Sequence, residues 1–257
     1  MKYTLLTLLV LASFTVLCEI PKEAYLACEK GDVDVCSDLG DVFDEGLGGN
    51  LIDYAKATKF YTKACGLNDG YSCRVLGYYY DSGQGVNVNK VKAFELYRKG
   101  CELNDSYSCY NLGVVYADGK GVKQNYKQAH KYYTMACNNE EGTACANLAY
   151  LYKKGNGVKK NSKTAFKYFT TSCELEDEIG CLGLAIMYDT GEGTKKNQKK
   201  ANTYYSHACD NDEETACYNL AVNYEYGDGV KMDKEKATLL YEKSCDLGYQ
   251  DACDGVE

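Results

Sequence analysis

The sequence predicts an all-α chain, a solenoid of helix pairs closed by disulfides. Three observations carry this. A nine-residue segment with cysteine at both ends recurs seven times, and from Cys65 onward it returns every 36 residues. A period of that size marks stacked helical units, each touching only its neighbours. The 257 residues contain a single proline and few β-branched runs, which favours helix. Small and apolar residues also recur at i, i+3, i+4 and i+7, one face of a helix.

Residues 1–18 read as a secretory signal peptide. Lys2 is followed by an apolar run from Leu5 to Leu17, too short for a span of about 20 residues. Cleavage is expected after Cys18, with Val16 and Cys18 at the two recognised positions. The alternative is Cys18 as a lipidated residue, for which Leu17 is a poor neighbour. No other segment has the apolar length to cross a membrane, so the protein is expected to be secreted or periplasmic. Removing Cys18 from the 15 cysteines leaves seven pairs. Such abundance in an exported chain reads as disulfides, since those compartments are oxidising.

Residues 19–35 form a lead-in and half-repeat. Six repeats follow over 36–69, 70–105, 106–141, 142–177, 178–213 and 214–249, and 250–257 is a C-terminal cap. The repeat over 106–141 shows the logic. Its first helix carries Cys109, Leu112, Gly113 and Tyr116 on one face and stops at Gly119 and Gly121. Asn125 stands at the N-cap of a second helix, which carries Ala129, Tyr132, Tyr133, Ala136 and Cys137. Equivalent caps are Asp53, Asn89, Asn161, Asn197 and Asp233. The second-helix aromatics Tyr61, Tyr97, Tyr133, Phe169, Tyr205 and Tyr241 are expected in the core, opposite small first-helix residues such as Gly40, Gly77 and Ala149.

Within one continuous helix, Cys101 and Cys109 would lie about 12 Å apart, whereas a disulfide needs Cα atoms within about 7 Å. The spacer must therefore fold back, and its Asn-Asp-Ser composition suits a turn. The expected pairs are Cys28–Cys36, Cys65–Cys73, Cys101–Cys109, Cys137–Cys145, Cys173–Cys181, Cys209–Cys217 and Cys245–Cys253. Small residues before the first cysteine, such as Ala64, Gly100 and Ser172, leave room for the crossing. Zinc sites use cysteines two to four residues apart with histidines close by. The seven-residue spacing and only two histidines argue against a metal, and no cofactor is expected.

The pattern of Leu-Gly/Ala, Tyr, Gly-x-Gly-Val, Asn/Asp, Lys-Ala and Tyr resembles the Sel1-like repeat, a relative of the tetratricopeptide repeat (TPR). With its paired cysteines the chain resembles the Helicobacter cysteine-rich protein family over residues 24–253. Leu47-Gly48-Gly49 adds one loop residue, and Thr194 replaces the loop valine. The resemblance implies a right-handed αα-solenoid of Sel1-like/TPR-like helix pairs, with first helices lining a concave face. It also implies penicillin binding and slow β-lactam hydrolysis.

The residues carry no known β-lactamase motif. No serine has lysine three residues later, Ser37-Asp38-Leu39 is not an SDN element, and Ser162-Lys163-Thr164 fails as a nucleophile motif. His130 and His207, both expected at the surface, are too few for a metallo-enzyme. A genuine β-lactamase would need an unconventional site. The residues themselves point to a binding scaffold for a peptide, a protein or a cell-wall fragment, acting as a monomer. Candidate concave-face residues are Asn111, Asn147 and Asn219, with Asp38, Val75 and Gly183 in equivalent places; an asparagine amide can both donate to and accept from a peptide backbone.

The spacers between paired cysteines are each acidic and together carry −17, against −8 for the whole chain. The remainder is net basic, with lysines at Lys159-Lys160 and Lys195-Lys196. One acidic and one basic edge are therefore expected. The overall acidity argues against nucleic acid.

Overall fold

The computed structural model describes residues 20–253. The expected signal peptide, Cys18 and the last four residues lie outside them. Every regular element among the described residues is a helix, and none is long and apolar enough to cross a membrane. The chain divides into two compact units, Met1–Gln124 and Asn125–Glu257.

The first unit holds α1 (Lys22–Glu29), α2 (Val33–Glu45), a 3-10 turn at Leu47–Gly49, α3 (Tyr54–Gly66), α4 (Gly70–Ser82), α5 (Lys90–Glu102) and α6 (Ser106–Asp118). The second holds α7 (Tyr126–Asn138), α8 (Gly142–Lys154), α9 (Ser162–Glu174), α10 (Glu178–Thr190), α11 (Gln198–Asp210), α12 (Glu214–Tyr226), α13 (Lys234–Asp246) and the short α14 (Gln250–Cys253). Within each unit consecutive helices pack side by side, the repeating helix pair of a Sel1-like solenoid.

Capping explains the uniform helix boundaries. Asp53, Asn89, Asn125, Asn161, Asn197 and Asp233 each accept from the backbone N–H groups of the following turn. Asp32, Asp69, Asp105 and Asp177 do the same for first helices. The first helices end at Gly46, Gly83, Gly119, Gly155, Gly191 and Gly227, all left-handed. The extra residue at Leu47–Gly49 is absorbed as the 3-10 turn.

The crossing between repeats is a tight turn. Cys101 lies in the last turn of α5 and Cys109 in the first turn of α6, with Cα atoms 4.7 Å apart. The seven disulfides span Cα separations of 4.5 to 4.9 Å. Three residues after the first cysteine the backbone turns left-handed. Gly31 and Gly248 occupy that place at the two ends, but Asn68, Asn104, Glu140, Glu176 and Asp212 hold φ between +61° and +71° in between. For glutamate this conformation is strained, and the adjacent staple holds it in place.

Within each unit the core runs between paired helices. Tyr61, Tyr205 and Phe169 are almost wholly buried. A Cβ on Gly77 would lie 2.7 Å from the Tyr97 ring, so the glycine is what lets α4 and α5 close. Gly100, just before its staple, does the same at the turn: a Cβ there would lie 2.9 Å from that of Ser108.

Seven intramolecular disulfides in one chain point to an oxidising, extracytoplasmic environment.

Candidate binding surface

The three asparagines proposed from sequence each sit one residue before the buried first-helix leucine. Asn111 lies on α6, Asn147 on α8 and Asn219 on α12, and all three are half-buried. The row they belong to is not uniform. Val75 occupies the equivalent place on α4 and joins the apolar cluster around Tyr61 and Tyr79. Gly183 occupies it on α10, where the Phe169 ring leaves no space for a Cβ. The position therefore borders the core, and what it presents depends on the aromatic behind it.

In the first unit a larger feature surrounds it. Tyr71, Arg74 and Tyr78 share one face of α4 at i, i+3 and i+7. The Arg74 guanidinium lies over the Tyr71 ring at 4.9 Å and over the Tyr107 ring of α6 at 5.2 Å. Its Nε is 3.6 Å from a carboxylate oxygen of Asp105, the N-cap of α6. Tyr78 and Tyr107 are each 53% exposed, and Asn111 stands one turn beyond Tyr107.

Beneath Tyr71 lies a network of tyrosines and carboxylates. The hydroxyls of Tyr61 and Tyr71 donate to Asp41 at 2.7 and 2.9 Å. The Tyr79 hydroxyl donates to Asp44 at 2.5 Å. Tyr61 meets Tyr71 and Tyr79 edge to face at 6.3 and 6.0 Å. Burial raises the Asp41 carboxyl above its ordinary value, opposed by the two tyrosine hydrogen bonds and assisted by the charge of Asp44. Burial, together with the carboxylates, pushes Tyr61, Tyr71 and Tyr79 far above the usual phenol range. These phenols stay protonated as fixed donors, so the network positions the surface rings.

In the second unit Tyr205 donates to Asp189 at 3.4 Å and Tyr241 to Glu225 at 2.8 Å. Phe169 has no hydroxyl to donate, and Lys153 stands where Asp189 and Glu225 stand for Tyr205 and Tyr241. Tyr150 packs edge-on against Phe169 at 5.0 Å, half-buried beside Asn147 on the same helix.

His130, expected at the surface, is half-buried. Its Nε2 is 3.0 Å from the Tyr152 hydroxyl, its ring meets Tyr152 edge to face, and burial lowers its pKa. His207 is exposed, beside the sulfurs of Cys173 and Cys181.

Sequence reasoning proposed Asn111 but missed Arg74, Tyr71 and Tyr107 beside it. Their only local signal was the Tyr71–Arg74 spacing of i, i+3.

A family model described as Sel1 repeat matches residues 33–69, 70–105, 106–140, 142–177, 179–213 and 215–249. Among solved structures, a protective antigen of uropathogenic Escherichia coli, described as displaying an SLR fold, is 27% identical with a TM-score of 0.83, over 91% of this chain and 50% of its own. This chain thus spans half the length of that antigen. A Sel1 repeat protein from Oxalobacter formigenes is 27% identical with a TM-score of 0.78, over 88% of both chains. Helicobacter pylori cysteine rich protein B is 34% identical with a TM-score of 0.42, over 50% of this chain and 92% of its own. No curated protein sequence matches the chain.

Proposed function

The chain belongs to the Sel1 repeat family, and on that footing we propose that it is an exported binding scaffold for an extended segment of a protein partner. The recognition surface is the first-helix face of the first unit, with Asn111 at its border and Asn147 and Asn219 in equivalent places on the second. The observation that carries the reading is the Arg74 guanidinium held between the Tyr71 and Tyr107 rings. Exposed tyrosine and arginine dominate binding surfaces because they supply large rigid contact area with polar tips. Here Tyr71 is held from below by Asp41 and both rings are held beside Arg74, so little side-chain freedom is lost on binding. The exposed ring faces take apolar side chains, and the guanidinium and asparagine amide take main-chain carbonyl oxygens.

A secreted or periplasmic location fits the disulfides. A cell-wall-derived peptide would use the same groups. Penicillin binding and slow β-lactam hydrolysis rest on the resemblance alone. One experiment separates the readings. Immobilised wild-type protein and an Arg74→Ala variant are exposed to an envelope extract, and chromogenic cephalosporin turnover is measured beside them. The scaffold reading expects a captured protein that the variant loses, with no turnover above that of reduced, unfolded chain. Turnover well above that background, with nothing captured, would favour the hydrolase.

A further inference from the structure

At three places the residue two positions before the first cysteine of a repeat lies over the staple of the repeat before it. Lys99 shows this: its Nζ donates to the main-chain carbonyl oxygen of Cys65. Lys243 donates to the Cys209 carbonyl oxygen in the same way, at 2.7 Å. On α11 that position is His207, and the staple beneath it is Cys173–Cys181.

The substitution changes the chemistry at the staple. A lysine caps a carbonyl and bears no lone pair when charged, whereas an imidazole nitrogen is a metal ligand. One ring nitrogen of His207 and the two sulfurs all lie within 4.8 Å of one another. Ligand atoms of a tetrahedral zinc lie roughly 3.8 Å apart, given Zn–S bonds of about 2.3 Å. Small side-chain movements would bring the three into that arrangement once the sulfurs separate.

This staple is also more accessible than its neighbours. Cys65, Cys101, Cys137 and Cys209, the first cysteines of the surrounding staples, are buried, whereas Cys173 is half-exposed, as are Cys245 and Cys253 of the terminal staple, which has no histidine over it. It opens into a cleft of about 230 Å³ lined also by Thr170, Glu174, Thr203, Tyr204 and His207. The cleft leaves Cys173 open to a reductant and leaves a fourth position to water.

We propose that Cys173, Cys181 and His207 form a thiol-gated site for a zinc-class divalent cation, closed while the disulfide is intact. A dithiol reductant donates two electrons and two protons. The Cys173–Cys181 bond breaks, two thiols form, and the dithiol closes to its own disulfide. The metal ion then displaces both thiol protons, which leave to solvent. Spacing within one repeat hides the site, because its third ligand comes from the next repeat.

The test uses the full oxidised chain, treated with a limiting dithiol under anaerobic conditions, freed of reductant and titrated with Co²⁺ as a spectroscopic probe. Peptide mapping after alkylation should find Cys173 and Cys181 modified ahead of the cysteines of every other staple except the terminal Cys245–Cys253. Cobalt should bind one equivalent with thiolate charge-transfer absorption, and Zn²⁺ should displace it. His207→Lys, which installs the residue that Lys243 represents one repeat later, should fold normally and weaken cobalt at least about tenfold by removing one of three ligands. The Cys173→Ser/Cys181→Ser variant keeps six staples and should lose the absorption. Equal cobalt affinity in wild type and His207→Lys, an undiminished band in the double serine variant, or alkylation of any staple other than the terminal one ahead of Cys173 and Cys181 would each overturn the proposal.

Discussion

Tyr61 reaches Asp41 from the neighbouring helix, its buried hydroxyl donating to the carboxylate at 2.7 Å. The same carboxylate receives Tyr71, whose ring carries Arg74. A core side chain is thereby connected to the surface proposed to bind. Removing the Tyr61 hydroxyl should be felt in stability. Tyr61→Phe is expected to lower it by about 1.5–3 kcal/mol, the range for losing a hydrogen bond to a charged group, read as a shift in the urea midpoint.

The acid partner predicts a pH dependence. Burial raises the Asp41 pKa in the folded chain above the ordinary 3.8. Between 3.8 and that raised value the folded state holds more protons than the unfolded state, so this group's contribution to stability falls as pH rises. Asp41→Asn should flatten that segment of the stability profile. Urea melts of both proteins across the acid range check the sign, and a gain in wild-type stability relative to Asp41→Asn with rising pH would contradict it.

The turn strain makes an opposite kind of prediction. Glu176 holds φ +61° where Gly31 and Gly248 stand in the outermost spacers. Glu176→Gly relieves the left-handed strain, which is about 1–2 kcal/mol for a residue with a Cβ, offset in part by a more flexible unfolded chain. A net gain of up to about 1 kcal/mol is expected in thermal or urea unfolding. Gly77→Ala, against the Tyr97 ring, should lose about 1–3 kcal/mol by overpacking.

Each staple closes a nine-residue loop, worth about 2.5 kcal/mol in the chain-entropy description. Cys101→Ser/Cys109→Ser should lower the urea midpoint accordingly, because full-length helices flank both cysteines. The same change at Cys245 and Cys253 should be milder, since only the four-residue α14 depends on that staple. Hydrogen exchange should locate its effect around Ala252.

The helix pairs are legible in the sequence because the signals that specify them are local. Asn125 caps its own helix, Gly119 ends the one before, and Cys101 and Cys109 sit eight apart across a single turn. The candidate surface is less legible because its contacts cross repeats. Tyr71 reaches Asp41 from 30 residues away, and Arg74 stacks on Tyr107 only through the register of α4 on α6. Asn111 and Gly183 are equivalent in the repeat, yet the Phe169 ring behind Gly183 excludes any side chain there. His207 lies over a staple 34 residues earlier in the chain, so its own surroundings in sequence show a surface histidine and nothing more.

The most direct test of the binding account is an equilibrium titration of the partner captured by the wild-type protein against the wild type and against a Tyr71→Ala/Arg74→Ala/Tyr107→Ala variant. Circular dichroism and thiol counts should first establish that the variant keeps its helices and all seven disulfides. Loss of one anchor of this kind typically exceeds 1 kcal/mol, so affinity should fall at least about tenfold. Equal affinity for both proteins would contradict the assignment of this surface.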